Sequence, residues 1–196
     1  MTILNNLINI LFKNKQTIIT YKDEYKEAIR RTKRLKLKLP NVDINDEIFL
    51  NKKFKEAFDG VINKYSFQTK DLYLRCYDFN YNIKKVLDNQ LEYNFMYTIG
   101  YIEIDGEPYF KSTEEDLLKM IKHEQADYNL DGIKIHVWLT LPSMEIIDFT
   151  LSTTLNNIFS NIPKGGVIMR HADANNYIKY KPLLIGDDFF KKIKVF

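Results

Sequence analysis

The sequence predicts an α+β fold: a cysteine-bearing helix packed on a mostly antiparallel β-sheet, with extra helices toward the N-terminus. Three observations predict it. Apolar residues recur at helical spacing through roughly the first half of the chain, stretches of strand-forming residues bounded by turn signals dominate the remainder, and the helices come before most of the strands. With 196 residues, 45% hydrophobic and 14% aromatic, the chain has material for a substantial core. The expectation is a single domain over 1–196, with a helical part over 1–64 and an α+β core over 65–196.

Each element has its own signal. Ile3, Leu4, Leu7, Ile8, Leu11 and Phe12 form a helical apolar stripe. Tyr21 to Arg34 also reads as a helix, after which Leu35 to Leu39 alternates and Pro40 stops it. Asp43, Asp46 and Glu47 suggest a helix start, continued by Leu50, Phe54, Ala57, Phe58 and Val61 to about Lys64. Tyr65 to Leu74 reads as extended or looped. A helix then begins at Cys76, because Phe79, Ile83, Val86, Leu87 and Leu91 share one face, and Cys76 falls on its Phe79 and Ile83 side.

Tyr93 to Phe110, with a turn at Asp105-Gly106, reads as a strand pair or a long bent strand. Thr113 and Asp116 resemble a capping box opening a helix that runs to about Glu124, and Asp131-Gly132 turns the chain into the next strand. Ile135 to Thr150 reads as a hairpin. With Leu141 to Ser143 as its connection, His136 stands directly opposite Asp148. Ser152 to Ile162 is a short helix, Val167 to Met169 a strand, and Tyr177 to Ile185 the last strand. One hairpin face carries His136, Trp138, Ile146 and Asp148, and the other carries Ile135, Val137, Leu139, Ile147 and Phe149. Both are largely apolar, so both are covered, the first by the Cys76 helix and the second by the N-terminal helices.

This arrangement carries chemistry. A cysteine at a helix N-terminus is stabilised as thiolate by the helix dipole and a neighbouring imidazolium. His136 would serve as general base and acid, Asp148 would fix its tautomer, and the Cys76 backbone N–H would hold a developing oxyanion. Gln68 is a candidate second oxyanion donor. Cys76 is the one cysteine, so it forms no internal disulfide. Two competing constellations are less coherent. His171 with Asp173 sits in a polar stretch that reads as a loop, and His123-Glu124 lacks the second His of a zinc-protease helix.

Cys76 in Leu74-Arg75-Cys76-Tyr77, His136 in Ile135-His136-Val137-Trp138 and Asp148 in Ile146-Ile147-Asp148-Phe149-Thr150 resemble the papain-like cysteine peptidase superfamily, especially its transglutaminase-like and NlpC/P60-like branches. The resemblance covers about residues 65 to 151. It implies a papain-like fold, a Cys-His-Asp triad, and attack on an amide, ester or thioester carbonyl through an acyl-enzyme. The substrate would be a peptide or other acyl compound. Small residues usually flank the nucleophile in these families. Here Arg75 and Tyr77 do, and with Trp138 they are the candidate substrate-cleft residues.

The remaining composition narrows the field. There is no Gly-rich phosphate loop, no CxxC pair and no dinucleotide fingerprint, and glycine numbers only 7, so neither cofactor nor metal is implied. A net charge of +3 is too mild to name a polyanion, and nucleic acid is not expected as a partner. Tyr177 to Lys181 interleaves tyrosine with lysine, which a strand with outward lysines explains as well as a base-stacking surface does. Arg30, Arg31, Lys33, Arg34, Lys36 and Lys38 form a basic run without an acid. It supports the alternative function, a noncatalytic interaction protein binding a protein or nucleic-acid partner through this surface. No apolar run is long enough to span a bilayer and no leader pattern is seen, so the expectation is a soluble cytoplasmic protein.

Overall fold

The computed structural model describes residues 19–65, 72–122, 134–159, 161–162, 164–174 and 177–196. The predicted helix over Ile3 to Phe12, the Asp131-Gly132 turn, and the residues Gln68, His123 and Glu124 lie outside these. The fold is mixed α+β, with an antiparallel sheet of six strands and six helices among the described residues.

Helix α1, Tyr21–Arg34, begins at a full capping box: Thr20 accepts from the Asp23 N–H, and Asp23 reaches back to the Thr20 N–H. Helix α2, Lys52–Ile62, starts later than the acidic residues suggest, with Asn51 as N-cap. The residues before it are held out of the helix by Glu145, whose carboxylate accepts from the Phe49 and Leu50 N–H groups at 2.9 and 3.0 Å. That competing set of partners displaces the helix start. Helix α3 spans Cys76–Gln90. Strands β1, Met96–Ile104, and β2, Glu107–Tyr109, are joined by Asp105 and Gly106 at φ of 51° and 87°, as a two-residue hairpin turn demands. Helix α4, Glu114–Lys122, opens on reciprocal Thr113 and Asp116 hydrogen bonds of 2.8 and 3.1 Å.

Strands β3, His136–Thr140, and β4, Glu145–Asp148, form the hairpin. Its connection lies one residue further on than Leu141 to Ser143. Leu141 N donates to Glu145 O at 2.8 Å, and Met144 takes the left-handed conformation at φ 66°. Leu139 therefore faces Ile147 and Thr140 faces Ile146. Continuing this register puts Asp148 opposite Trp138, so His136 is its diagonal neighbour, two residues along the same face. A displacement of two residues keeps side-chain parity, which is why the shared face survives the wrong register.

Helix α5, Leu151–Asn156, follows; then come strand β5, Ile168–His171, strand β6, Ile178–Ile185, and helix α6, Asp188–Lys192, for which the sequence reading had no signal. The central path is β2-β1-β3-β4-β5, with β6 paired to β1. The sheet is curled: Arg170 on β5 donates to Ile178 O on β6 at 2.5 Å.

Each side of the sheet carries a core; α2 covers the Val137 and Leu139 face as expected of an N-terminal helix, whereas α1 and α3 lie on the faces opposite to expectation. The α3 residues Cys76, Ile83 and Leu87 pack with Val137, Leu139, Ile147 and Phe149. The α1 residues Tyr21, Tyr25 and Ala28 cover the Trp138, Ile146 and Tyr180 face. Trp138 explains this choice. Its buried indole N–H needs an acceptor, and the Tyr21 hydroxyl provides one at 2.9 Å.

Candidate active site

Cys76 is the first residue of α3, following Arg75 at the N-cap, which makes no side-chain capping bond. Arg75 pairs with Asp78 in the first helical turn, where a carboxylate complements the dipole. The body of α3 covers the sheet face opposite His136. Its N-terminal end, however, reaches the start of β3, placing Cys76 Sγ 4.0 Å from Ile135 O, on the residue just before His136. The Cys76 side chain thus adjoins His136 at the start of the strand.

His136 and Asp148 form a buried pair, with Nε2 2.6 Å from Oδ2; the two are 2% and 1% exposed, and Cys76 is 8% exposed. Asp148 Oδ2 also accepts from the Tyr180 hydroxyl at 3.0 Å. Its Oδ1 accepts from the Thr150 and Leu151 N–H groups at 2.9 and 3.0 Å, and from the Thr150 hydroxyl at 3.2 Å. Those backbone donors come from the first residues around α5, so the strand-to-helix turn after β4 is itself what binds the carboxylate. With Nε2 occupied, Nδ1 is the ring nitrogen left for the sulfur.

The electrostatics follow from these contacts. Burial works against a charge on His136. The Asp148 charge and hydrogen bond outweigh it, with the adjoining Cys76 side chain adding in the same direction, and the imidazole is pushed up to about 10. For Asp148 burial favours the neutral acid, but His136 and the two backbone donors overcome it and hold the carboxyl below its ordinary range. Near neutral pH the pair is imidazolium and carboxylate.

The other predicted site residues are placed as follows. Trp138 is fully buried, donates to Tyr21 and stands edge-on to Tyr180 at 5.0 Å, so it belongs to the core and offers no cleft wall. Arg75 is exposed and ion-paired to Asp78. Tyr77 is half-buried, its ring 5.6 Å from that of Phe190 and its carbonyl accepting from the Tyr97 hydroxyl at 2.6 Å. His171 is exposed at the end of β5, where its Nδ1 accepts from the Asp173 N–H at 3.2 Å, while Asp173 Oδ1 accepts from the Tyr21 N–H at 2.8 Å. Asp173 therefore serves the start of α1. Among the described residues no group of three or more His, Cys, Asp or Glu side chains is arranged to hold a metal.

Two residues escaped the sequence reading. Tyr180 follows the alternation of β6, buried between exposed Lys179 and half-buried Lys181, but only the curl of the sheet brings it to Asp148. Asn80 lies one turn beyond Cys76 on the buried stripe of α3, a polar residue among apolar ones, and that was a signal available in the sequence. Three of the six residues of the basic run are engaged in internal pairing: Arg30 meets Glu27 at 2.8 Å, and Arg31 and Arg34 both meet Glu114, at 3.2 and 2.8 Å. The chain matches no protein-family model, no curated protein and no solved structure.

Proposed function

We propose that this protein is a cysteine-dependent hydrolase or acyltransferase of papain-like fold, with Cys76 as nucleophile, His136 as general base and acid, and Asp148 as the group that orients His136. The observation that carries the reading is the buried His136–Asp148 pair adjoining a cysteine at a helix N-terminus. Because His136 is already an imidazolium, the acylation step starts from a Cys76 that has lost its proton: Sγ bonds to the carbonyl carbon of an amide, ester or thioester, with the His136 Nδ1–H beside it. The oxyanion formed there is held by the Cys76 backbone N–H, with Gln68 as the proposed second donor. Collapse breaks the bond to the leaving group, which takes the proton from His136. Water or a second nucleophile then attacks the thioester, giving hydrolysis or transfer.

An activity-based thiol probe tests this proposal. Cys76 is expected to label faster than a model thiol, and His136→Ala to abolish the advantage. Labelling no faster than the model thiol and indifferent to His136→Ala would refute it. The noncatalytic alternative has less support, because Arg30, Arg31 and Arg34 already have carboxylate partners within the protein. It requires charge reversal at Arg30, Arg31, Lys33 and Arg34 to abolish partner binding while Cys76→Ser preserves it.

A further inference from the structure

Asn80 is fully buried on α3, on the stripe that also carries Cys76, Ile83 and Leu87. Its Nδ2 donates to Cys76 O at 2.8 Å and to Val137 O at 3.0 Å. One amide group thus ties the main chain of the nucleophile to the residue that follows His136. The orientation is dictated, since two carbonyl oxygens can be bridged only by the NH2 end. The consequence is that Asn80 Oδ1 is buried with no hydrogen-bond partner among the described residues. An apolar side chain of similar size would pack there without stranding an acceptor.

We infer that Asn80 is a positioning residue that fixes the Cys76 sulfur against the His136 ring; this rests on the Cys-His-Asp reading above. The first turn of α3 has no side-chain cap to anchor it. The Asn80 bridge supplies the anchor from inside, joining helix and strand at the two positions whose spacing sets the contact between sulfur and imidazolium. Reacting groups displaced by about 1 Å lose on the order of 100-fold in rate, so a single bridge at this point governs reactivity. The stranded oxygen is the cost of placing the donor there.

The test is the rate of Cys76 alkylation by iodoacetamide, followed by mass spectrometry from about pH 5 to about pH 9, in the wild type, His136→Ala and Asn80→Leu, with thermal unfolding recorded for each. Leucine keeps the branching of asparagine at Cγ without the donor. Asn80→Leu is expected to unfold cooperatively, to react about 10-fold more slowly at neutral pH, and to follow the pH profile of His136→Ala. If Asn80→Leu fails to fold, Asn80→Ser, too short to bridge, is read in the same way. A merely structural role would lower the melting temperature and leave the profile at its wild-type shape, which overturns the inference alone. A wild-type profile that His136→Ala leaves unchanged overturns the triad and the inference with it.

Discussion

Asp148 takes five hydrogen bonds on two oxygens, and this saturation is what lets a carboxylate stay ionised inside the protein. Its linkage to pH has a definite sign. His136 in the folded protein lies above its unfolded value of about 6.5, so its contribution to stability is complete below about pH 6.5 and is lost as pH rises toward about 10. Asp148 lies below its unfolded value of about 3.9, so its contribution is present above that pH and is lost as pH falls. Urea unfolding of the wild type should therefore show stability declining from about pH 6.5 to about pH 9.5, and Asp148→Asn should flatten that decline. Equal slopes in both proteins would contradict the pairing. Tyr180→Phe removes one donor from Oδ2 and is expected to cost about 1 kcal/mol with cooperative unfolding retained, measurable by the same titration.

The elements show why some of the molecule was readable in the sequence and some was not. The extent of α1, the start of α3, the Asp105-Gly106 turn and the Thr113 cap were legible because neighbours in sequence decide them. The start of α2 was not legible, because Glu145, almost a hundred positions away, holds the preceding backbone. The His136–Asp148 pairing was legible as a shared face and wrong in register, since the periodicity of two fixes the face while turn geometry fixes the register. Glu145→Ala should release the backbone before α2 and cost about 3 kcal/mol in chemical denaturation; a loss below about 1 kcal/mol would show that the clamp is dispensable. Gly100 faces His136 across the β1 and β3 pairing, at a register shift with β6. A methyl group there would come within 2.1 Å of Lys181 O and 2.6 Å of Trp138 Cη2. Gly100→Ala should thus lower stability by about 3 kcal/mol or more, and an unchanged melting temperature would refute the close packing.

Across the whole molecule one curled sheet separates two cores, and the candidate site lies where its two sides meet. The α3 helix belongs to one core, while His136, Asp148 and Tyr180 belong to the face covered by α1. Only the end of a strand brings the two together. No helix among the described residues is long and apolar enough to cross a membrane. The basic run links α1 to α4 through Glu114, a placement that lies beyond any local pattern in the sequence. The central claim is that Cys76, His136 and Asp148 behave as one electrostatic unit. It is tested most directly by following the His136 ring nitrogens by NMR across pH in the wild type, Asp148→Asn and Cys76→Ala. The account predicts an imidazolium that persists through neutral pH to about 10 in the wild type and titrates lower in both variants. Titration near the ordinary value of about 6.5 in the wild type, or a value that neither variant moves, would contradict it.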